Sequence, residues 1–191
     1  MFFDDDEEEE KILEAEGKVR IGCSRIEELK RELENKGFKS EGLAREADTY
    51  YKHPCYSLDS MDVALRVRIV NDNYKILTLK GPRKKDAELK VREEIEVNVI
   101  GDIETLLRKL GFKPIFTIEK ERYYLKARGL RITLDKVKKL GCFMEIELKG
   151  ASWEEAKKLL DELRIPWARI ITETYAEMMR NKMLEEEEFL E

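Results

Sequence analysis

Two segments of the chain share one pattern, Glu14-Ala-Glu16-Gly-Lys18 and Glu145-Ile-Glu147-Leu-Lys149. On a β-strand alternate side chains point to the same face, so each segment aligns two carboxylates and an ammonium on one side. A single Glu-x-Glu on a strand is ordinarily a solvated face. Two copies, separated by strand-like segments with same-face basic residues, predict a sheet interior that carries charge. Carboxylate oxygens bind hard divalent cations, and Arg and Lys donate to phosphate oxygens. The predicted chemistry is therefore a divalent metal held against a polyanion. His53 is the one histidine and the three cysteines are widely spaced. The metal site must then rest on oxygen donors, which suits Mg²⁺ or Mn²⁺ better than zinc.

The intervening segments supply the cations. Residues 63–70 alternate so that Arg66 and Arg68 share a face. Residues 75–81 place Ile76, Thr78 and Lys80 together, and residues 92–100 align Arg92, Glu94 and Glu96. Lys120 and Arg122 share a face of residues 116–125, and Asp135 follows the alternating run 130–134. Lys149 sits at a strand end, where it is expected to be solvated.

Helices must position these strands. Ser24-x-x-Glu27 is a capping-box pattern ahead of Ile26, Leu29 and Leu33, with Gly37 as the stop. Asp102 precedes a second helix with Ile103, Leu106, Leu107 and Leu110 on one face, ended by Gly111. Both helices exit into Gly-Phe-Lys, at 37–39 and 111–113. Ser152-x-x-Glu155 opens a third helix carrying Ala156, Leu159, Leu160 and Leu163 before Pro166. Strand–helix units thus recur along the chain. Residues 172–184 read as a final helix whose Tyr175, Met178 and Met179 belong to the core. The sum is about eight strands and four helices, an α+β protein dominated by antiparallel sheet. Closed into a barrel, about eight strands enclose a lumen wide enough for side chains or one small ligand. The apolar strand faces then pack outward against the helices.

Composition sets the bounds. The chain has 191 residues, 41% of them charged, with a net charge of −5. The signs are mixed, so nothing argues for nucleic acid. No apolar run approaches the roughly 20 residues of a spanning helix, and the expectation is a cytoplasmic protein without membrane association. Cys23, Cys55 and Cys142 are expected to be small hydrophobes in a reducing compartment rather than a disulfide framework or a zinc site. Glutamine is absent while Lys, Arg and Glu abound, a bias of heat-adapted proteins. Residues 1–11 read as an acidic flexible tail, 12–184 as the folded domain and 185–191 as an acidic C-terminal tail.

The ordered set Glu14-x-Glu16-x-Lys18-x-Arg20, Asp48-Thr-Tyr50-Tyr51, Ala64-Leu-Arg66-Val-Arg68, Leu79-Lys80-Gly81, Arg92-Glu-Glu94, Glu119-Lys120-x-Arg122, Asp135-x-Val137, Leu140-Gly141 and Glu145-x-Glu147 resembles the CYTH superfamily, the triphosphate tunnel metalloenzymes. Within it the chain is most similar to the class IV adenylyl cyclase and thiamine-triphosphatase branch. Two departures stand out: Gly17 falls between the motif positions, and no His-Phe pair precedes the first motif, as it does in some bacterial cyclases.

The resemblance implies an eight-stranded antiparallel tunnel that binds a triphosphate with Mg²⁺ or Mn²⁺. It implies Glu14, Glu16, Glu145 and Glu147 as metal ligands, with Asp135 serving a second metal. It assigns Arg66, Arg68, Lys80, Arg92 and Arg122 to the phosphates, and Lys18 and Lys120 to catalysis. The implied substrate is ATP, thiamine triphosphate or tripolyphosphate. Cyclisation of ATP leads, hydrolysis is the alternative, and a polyphosphate-binding module without turnover is the third reading. Long apolar helices would also suit a homodimer.

Overall fold

A computed structural model describes residues 13–84 and 89–188. The acidic segment 1–11 lies outside the described residues. In chain order the elements are β1 (Leu13–Ile21), α1 (Ile26–Asn35), β2 (Lys39–Lys52), β3 (Ala64–Val70), β4 (Tyr74–Arg83), β5 (Lys90–Val99), α2 (Ile103–Lys109), β6 (Lys113–Ala127), β7 (Leu130–Val137), β8 (Gly141–Leu148), α3 (Trp153–Glu162) and α4 (Tyr175–Glu188). The eight strands close a barrel in the order β1-β5-β4-β3-β2-β6-β7-β8. Every ladder is antiparallel.

The repeat expected from the strand–helix units is present as a twofold one. Exchanging β1 with β5, β2 with β6, β3 with β7 and β4 with β8 maps the ring onto itself. Helices α1 and α2 follow the equivalent strands β1 and β5, and each ends in its Gly-Phe-Lys turn. Gly37 and Gly111 there have φ of +89° and +92°, where an L side chain is strained. Helix α3, after β8, stands outside this symmetry.

Helices cover most of the outer wall. Leu29 and Leu33 of α1 and Leu159, Leu160 and Leu163 of α3 pack on Leu125, Ile132, Leu134, Met144 and Ile146. Each fully buried side chain of this size contributes about 1.5–3 kcal/mol. Ile103 and Leu107 of α2 pack on Tyr51 and Val67, while Leu106 and Leu110 face outward. With apolar residues committed to the outside, alternation turns the charged residues inward. Helix α4 is the exception among the helices. Its Tyr175, Met178 and Met179 pack with Ile118, Val137 and Phe143, which lie on the inward faces of β6, β7 and β8. It stoppers one end of the barrel.

Three local expectations need correction. Ser24 does not cap α1: it lies in a 3₁₀ turn over Cys23–Arg25, and α1 starts from Arg25 with no side-chain cap. A cap needs extended backbone, which that turn removes. Asp102 and Ser152 do cap their helices, the latter in a full capping box. Strand β2 had no alternation to reveal it, because Ser40, Gly42, Ala44 and Ala47 are scattered over both faces. Its long ladders with β3 and β6 make it a strand. Finally, Cys23 and Cys142 form a disulfide, against the expectation of reduced thiols. They are 119 residues apart in sequence, and only closure of β1 onto β8 brings their Cα atoms to 5.1 Å. Cys55 is free and exposed.

Candidate active site

The lumen is a cavity of about 250 Å³. All of its lining side chains are charged except Tyr50, Tyr124, Thr133, Thr174 and Tyr175. Eleven of the twelve residues singled out in the sequence line it: Glu14, Glu16, Lys18, Arg66, Arg68, Lys80, Arg92, Lys120, Arg122, Glu145 and Glu147. Asp135 does not. It is fully buried beneath Arg122, whose Nε donates to it at 2.8 Å and whose Nη2 also contacts it.

The walls differ in how charge is met. On β2, β3 and β6, Arg68 grips Asp48 with two hydrogen bonds of 2.6 and 2.9 Å. Lys120 donates to the same carboxylate at 2.8 Å and lies 3.2 Å from Glu46. Burial alone would raise the Asp48 carboxyl, but Arg68, Lys120 and Arg66 hold it well below the usual range. Glu46 is lowered to about 2 for the same reason, by Arg122, Lys120 and Arg68 against burial. The phenol of Tyr124 also donates to Glu46. Counted from the two Gly-Phe-Lys turns, Glu46 and Asp48 occupy on β2 the places that Lys120 and Arg122 occupy on β6. The twofold repeat is thus charge-inverted where its halves meet, and Glu46 faces Lys120 directly across the ladder.

On β4, β5, β1 and β8 the pairs are between lysine and glutamate. Lys80 bridges Glu14 and Glu94, at 2.8 Å to each. Lys90 meets Glu16, Lys149 meets Glu147, and Lys18 lies 2.8 Å from Glu145. Lys149, expected in solvent, is half-exposed at the strand end and closes on Glu147. Glu14 and Glu94 share a hydrogen bond: burial, then that bond, pushes Glu94 up to about 7, while Glu14 stays low under the Lys80 charge. Glu16 and Glu147 are direct cross-strand neighbours.

Gly17, the departure noted in the first motif, leaves β1 unbroken. A Cβ there would come within 2.9 Å of Leu89 and 3.2 Å of Ile170. The glycine admits the segment that leads into α4, which bridges to Lys18 through Ile171.

Three buried polar atoms in the lumen have no hydrogen-bond partner: Arg66 Nε, Arg92 Nε and Thr133 Oγ1. Arg66 otherwise leans on Thr78 at 2.9 Å and Glu96 at 3.2 Å. Burial, against the pull of Glu14 and Glu94, lowers the pKa of the Arg92 guanidinium. A buried N–H left unmade is costly, so these groups point to an anion as the missing partner.

The resemblance also implies a divalent cation. The donor set suits one: Glu14, Glu16, Glu145 and Glu147 offer only oxygen, on two adjacent strands. Their register also suits one, since Glu16 and Glu147 are direct cross-strand partners. Among the described residues no three acidic, His or Cys side chains already converge into a ligand cluster. Each glutamate instead holds an ammonium, and Glu145 and Glu147 are also met by the guanidinium groups of Arg122 and Arg131.

Sequence reasoning assigned no role to Glu46, Asp48, Lys90 or Thr133. Glu46 and Asp48 carried a signal, two acids spaced by two residues. Lys90 sits two residues before Arg92 and was lost because the strand was started at Arg92.

A closed tunnel of eight antiparallel strands lined by charge defines a class, and the chain belongs to the CYTH domain family, whose model matches residues 13–175. Among its relatives, a Methanocaldococcus jannaschii protein named "Putative adenylate cyclase MJ0240" is 33% identical over 178 residues, 87% of this chain and 98% of that one. The PH1819 protein of Pyrococcus horikoshii OT3 is similar in structure, with a TM-score of 0.76 and 34% identity over 88% of this chain and 99% of that one. HpAC1 from Hippeastrum, described as having a dominant triphosphatase activity, shares the fold at a TM-score of 0.65 and 17% identity, over 89% and 95% of the two chains. Among the described residues no helix is long and apolar enough to cross a membrane.

Proposed function

We propose that this protein is a metal-dependent enzyme acting on a triphosphate drawn into the barrel. The observation that carries this reading is the set of unpartnered buried donors, Arg66 Nε, Arg92 Nε and Thr133 Oγ1, facing a lumen rich in guanidinium and ammonium groups. Phosphate oxygens satisfy such donors, and arginine can meet them in bidentate fashion.

In the proposed mechanism Arg66 and Arg92 seat the nonbridging oxygens. Lys80 and Arg122 add positive charge along the chain of phosphates, and Arg68 keeps the wall behind them rigid through Asp48. Lys18 and Lys120 face the reacting end and orient its oxygens. Asp135 acts through Arg122, whose guanidinium it fixes. Mg²⁺ or Mn²⁺, held by Glu14, Glu16, Glu145 and Glu147, would supply Lewis-acid stabilisation of the charge that develops as a phosphoanhydride breaks. The remaining acceleration comes from alignment and from dipoles and charges set in advance.

The leading reaction is the one carried in the name of the M. jannaschii relative. The ribose 3′-oxygen of ATP attacks the α-phosphorus and pyrophosphate leaves. A second reading, attack of water on the terminal phosphorus, is favoured by the lining. Its neutral side chains are three tyrosines and two threonines, and no apolar slot for a base lies among them. Incubation with Mg²⁺ or Mn²⁺ and, separately, ATP, thiamine triphosphate and tripolyphosphate decides between them. Cyclic AMP with pyrophosphate establishes the cyclase, and orthophosphate release establishes the triphosphatase. No product from any of them, with tripolyphosphate bound, leaves a binding module.

A further inference from the structure

Tyr175 stands where the stopper of the barrel meets the tunnel. It is the first residue of α4 and is nearly buried, yet it lines the lumen. Three contacts converge on it. Lys18 Nζ lies over its ring, 4.3 Å from the centroid. Its hydroxyl donates to Asp135 Oδ2 at 2.7 Å. The ring of Phe143 meets it edge-on at 5.1 Å. Lys120 Nζ is also near the ring, 5.6 Å from the centroid.

The segment before Tyr175 is bound to the same lysine. Ile171 N donates to the Lys18 carbonyl at 2.8 Å, and Lys18 Nζ reaches the Glu173 carbonyl at 3.4 Å. The start of α4 is itself fixed. Thr174 and Glu177 cap each other, and Arg83 of β4 lies 2.9 Å from Glu177.

We propose that Tyr175 is a positioning residue of the tunnel: its ring face seats the Lys18 ammonium, and its hydroxyl fixes the Asp135–Arg122 pair. A lysine has a flexible stem and a point charge, so it places its ammonium only where other groups confine it. Lys18 is confined by Glu145 on one side and by an aromatic face on the other, an arrangement that attracts a cation. The C-terminal helix, the last element in chain order, thereby completes a site whose other members stand on the barrel strands. This inference rests on the triphosphate reading for its catalytic consequence, and on geometry alone for the seat of Lys18.

The test compares Tyr175→Leu, Tyr175→Phe and Met178→Ala. Met178 packs in the same cluster as Tyr175 but does not line the tunnel. The first readout is NMR. The Lys18 ε-methylene protons, held over a ring face, are expected to resonate upfield in the wild type and in Tyr175→Phe, and at ordinary positions in Tyr175→Leu. The second is turnover of tripolyphosphate or ATP below the melting temperature. Tyr175→Leu is expected to lose about tenfold or more in kcat with KM little changed, as misplacement of a reacting group does. Tyr175→Phe is expected to lose less, and Met178→Ala to lose melting temperature but not kcat. Lys18 protons that are unshifted in the wild type overturn the proposal, as does an equal kcat loss in Met178→Ala. A wild type that turns over none of these substrates overturns the functional reading instead, and the NMR comparison still decides the role of Tyr175.

Discussion

The two walls of the tunnel neutralise charge in different ways. Across β2, β3 and β6, arginines grip carboxylates with paired hydrogen bonds, and the side chains of Asp48, Glu46 and Lys120 are 1–2% exposed. Across β4, β5, β1 and β8, lysines lie against Glu14, Glu16 and Glu147, whose side chains are 13–14% exposed. Arg122 and Arg131 reach Glu145 and Glu147 from β6 and β7. A guanidinium fork fixes geometry, whereas an ammonium is a point charge on a flexible stem. The first wall is therefore built to stay as it is. On the proposed function, the second exchanges its ammonium partners for a hard cation and a phosphate. Each wall carries one arginine with an unmade N–H, Arg66 on β3 and Arg92 on β5.

The contrast is broken most severely at the exchangeable wall. Glu16→Ala or Glu147→Ala is expected to lower metal-dependent turnover by about 100-fold or more, in line with removal of a group that stabilises developing charge. Melting temperature should change little in either. Wild-type turnover in both variants would remove the glutamates from the site.

At the rigid wall the same kind of substitution should strike the fold. Asp48→Ala leaves Arg68 and Lys120 buried without their shared acceptor and is expected to cost about 3–5 kcal/mol in urea unfolding. A stable Asp48→Ala protein would mean that the two walls do not differ. Arg92→Ala removes an unpartnered guanidinium, so the fold should tolerate it. Its tripolyphosphate affinity should fall about 10-fold or more, measured by calorimetry, with a smaller loss for pyrophosphate. Equal losses for the two ligands would argue against a tunnel that reads three phosphates.

Acid should find the rigid wall as well. Asp48 and Glu46 are lowered in the fold, Glu46 to about 2. A depressed folded pKa contributes stability above the unfolded value and loses it as pH falls through the folded one. Unfolding free energy should therefore decline from about pH 4.3 down to about pH 2, and Glu46→Gln should flatten that decline. A wild-type profile unchanged by Glu46→Gln would show that other carboxylates dominate.

The smallest effect on chemistry is expected outside the lumen. Cys23→Ser opens the tie between the chain after β1 and the start of β8, which encloses 119 residues of separation. It should cost about 2–4 kcal/mol of stability with kcat retained, and a reducing agent should give the wild type the same melting temperature as the variant.

Much of this was legible before folding. The strand around Glu14–Lys18 and the caps of α2 and α3 at Asp102 and Ser152 are legible in the sequence, because alternation and capping are local signals. The same-face spacing of Glu and Lys on β1 and β8 is visible as well, but not which of them pair. Strand β2 was not, because small residues on both faces erase the alternation, and with it went the roles of Glu46 and Asp48. Tyr175 was read as core because helical periodicity reports burial and not what a buried ring touches.

The sequence by itself determined the alphabet of the site. Alternation decided which residues share a face, and residue type decided that those faces offer carboxylates, guanidinium and ammonium groups. Tertiary structure alone decided which charges meet. The β2–β3 ladder placed Arg68 on Asp48, and closure of β1 onto β8 placed Cys23 on Cys142. The return of α4 set Tyr175 under Lys18, while Arg66 and Arg92 were left with an unmade donor. The reason is physical: strand alternation is a property of neighbours along the chain, whereas partner choice depends on ladder register between strands far apart in sequence, as for Glu16 and Glu147.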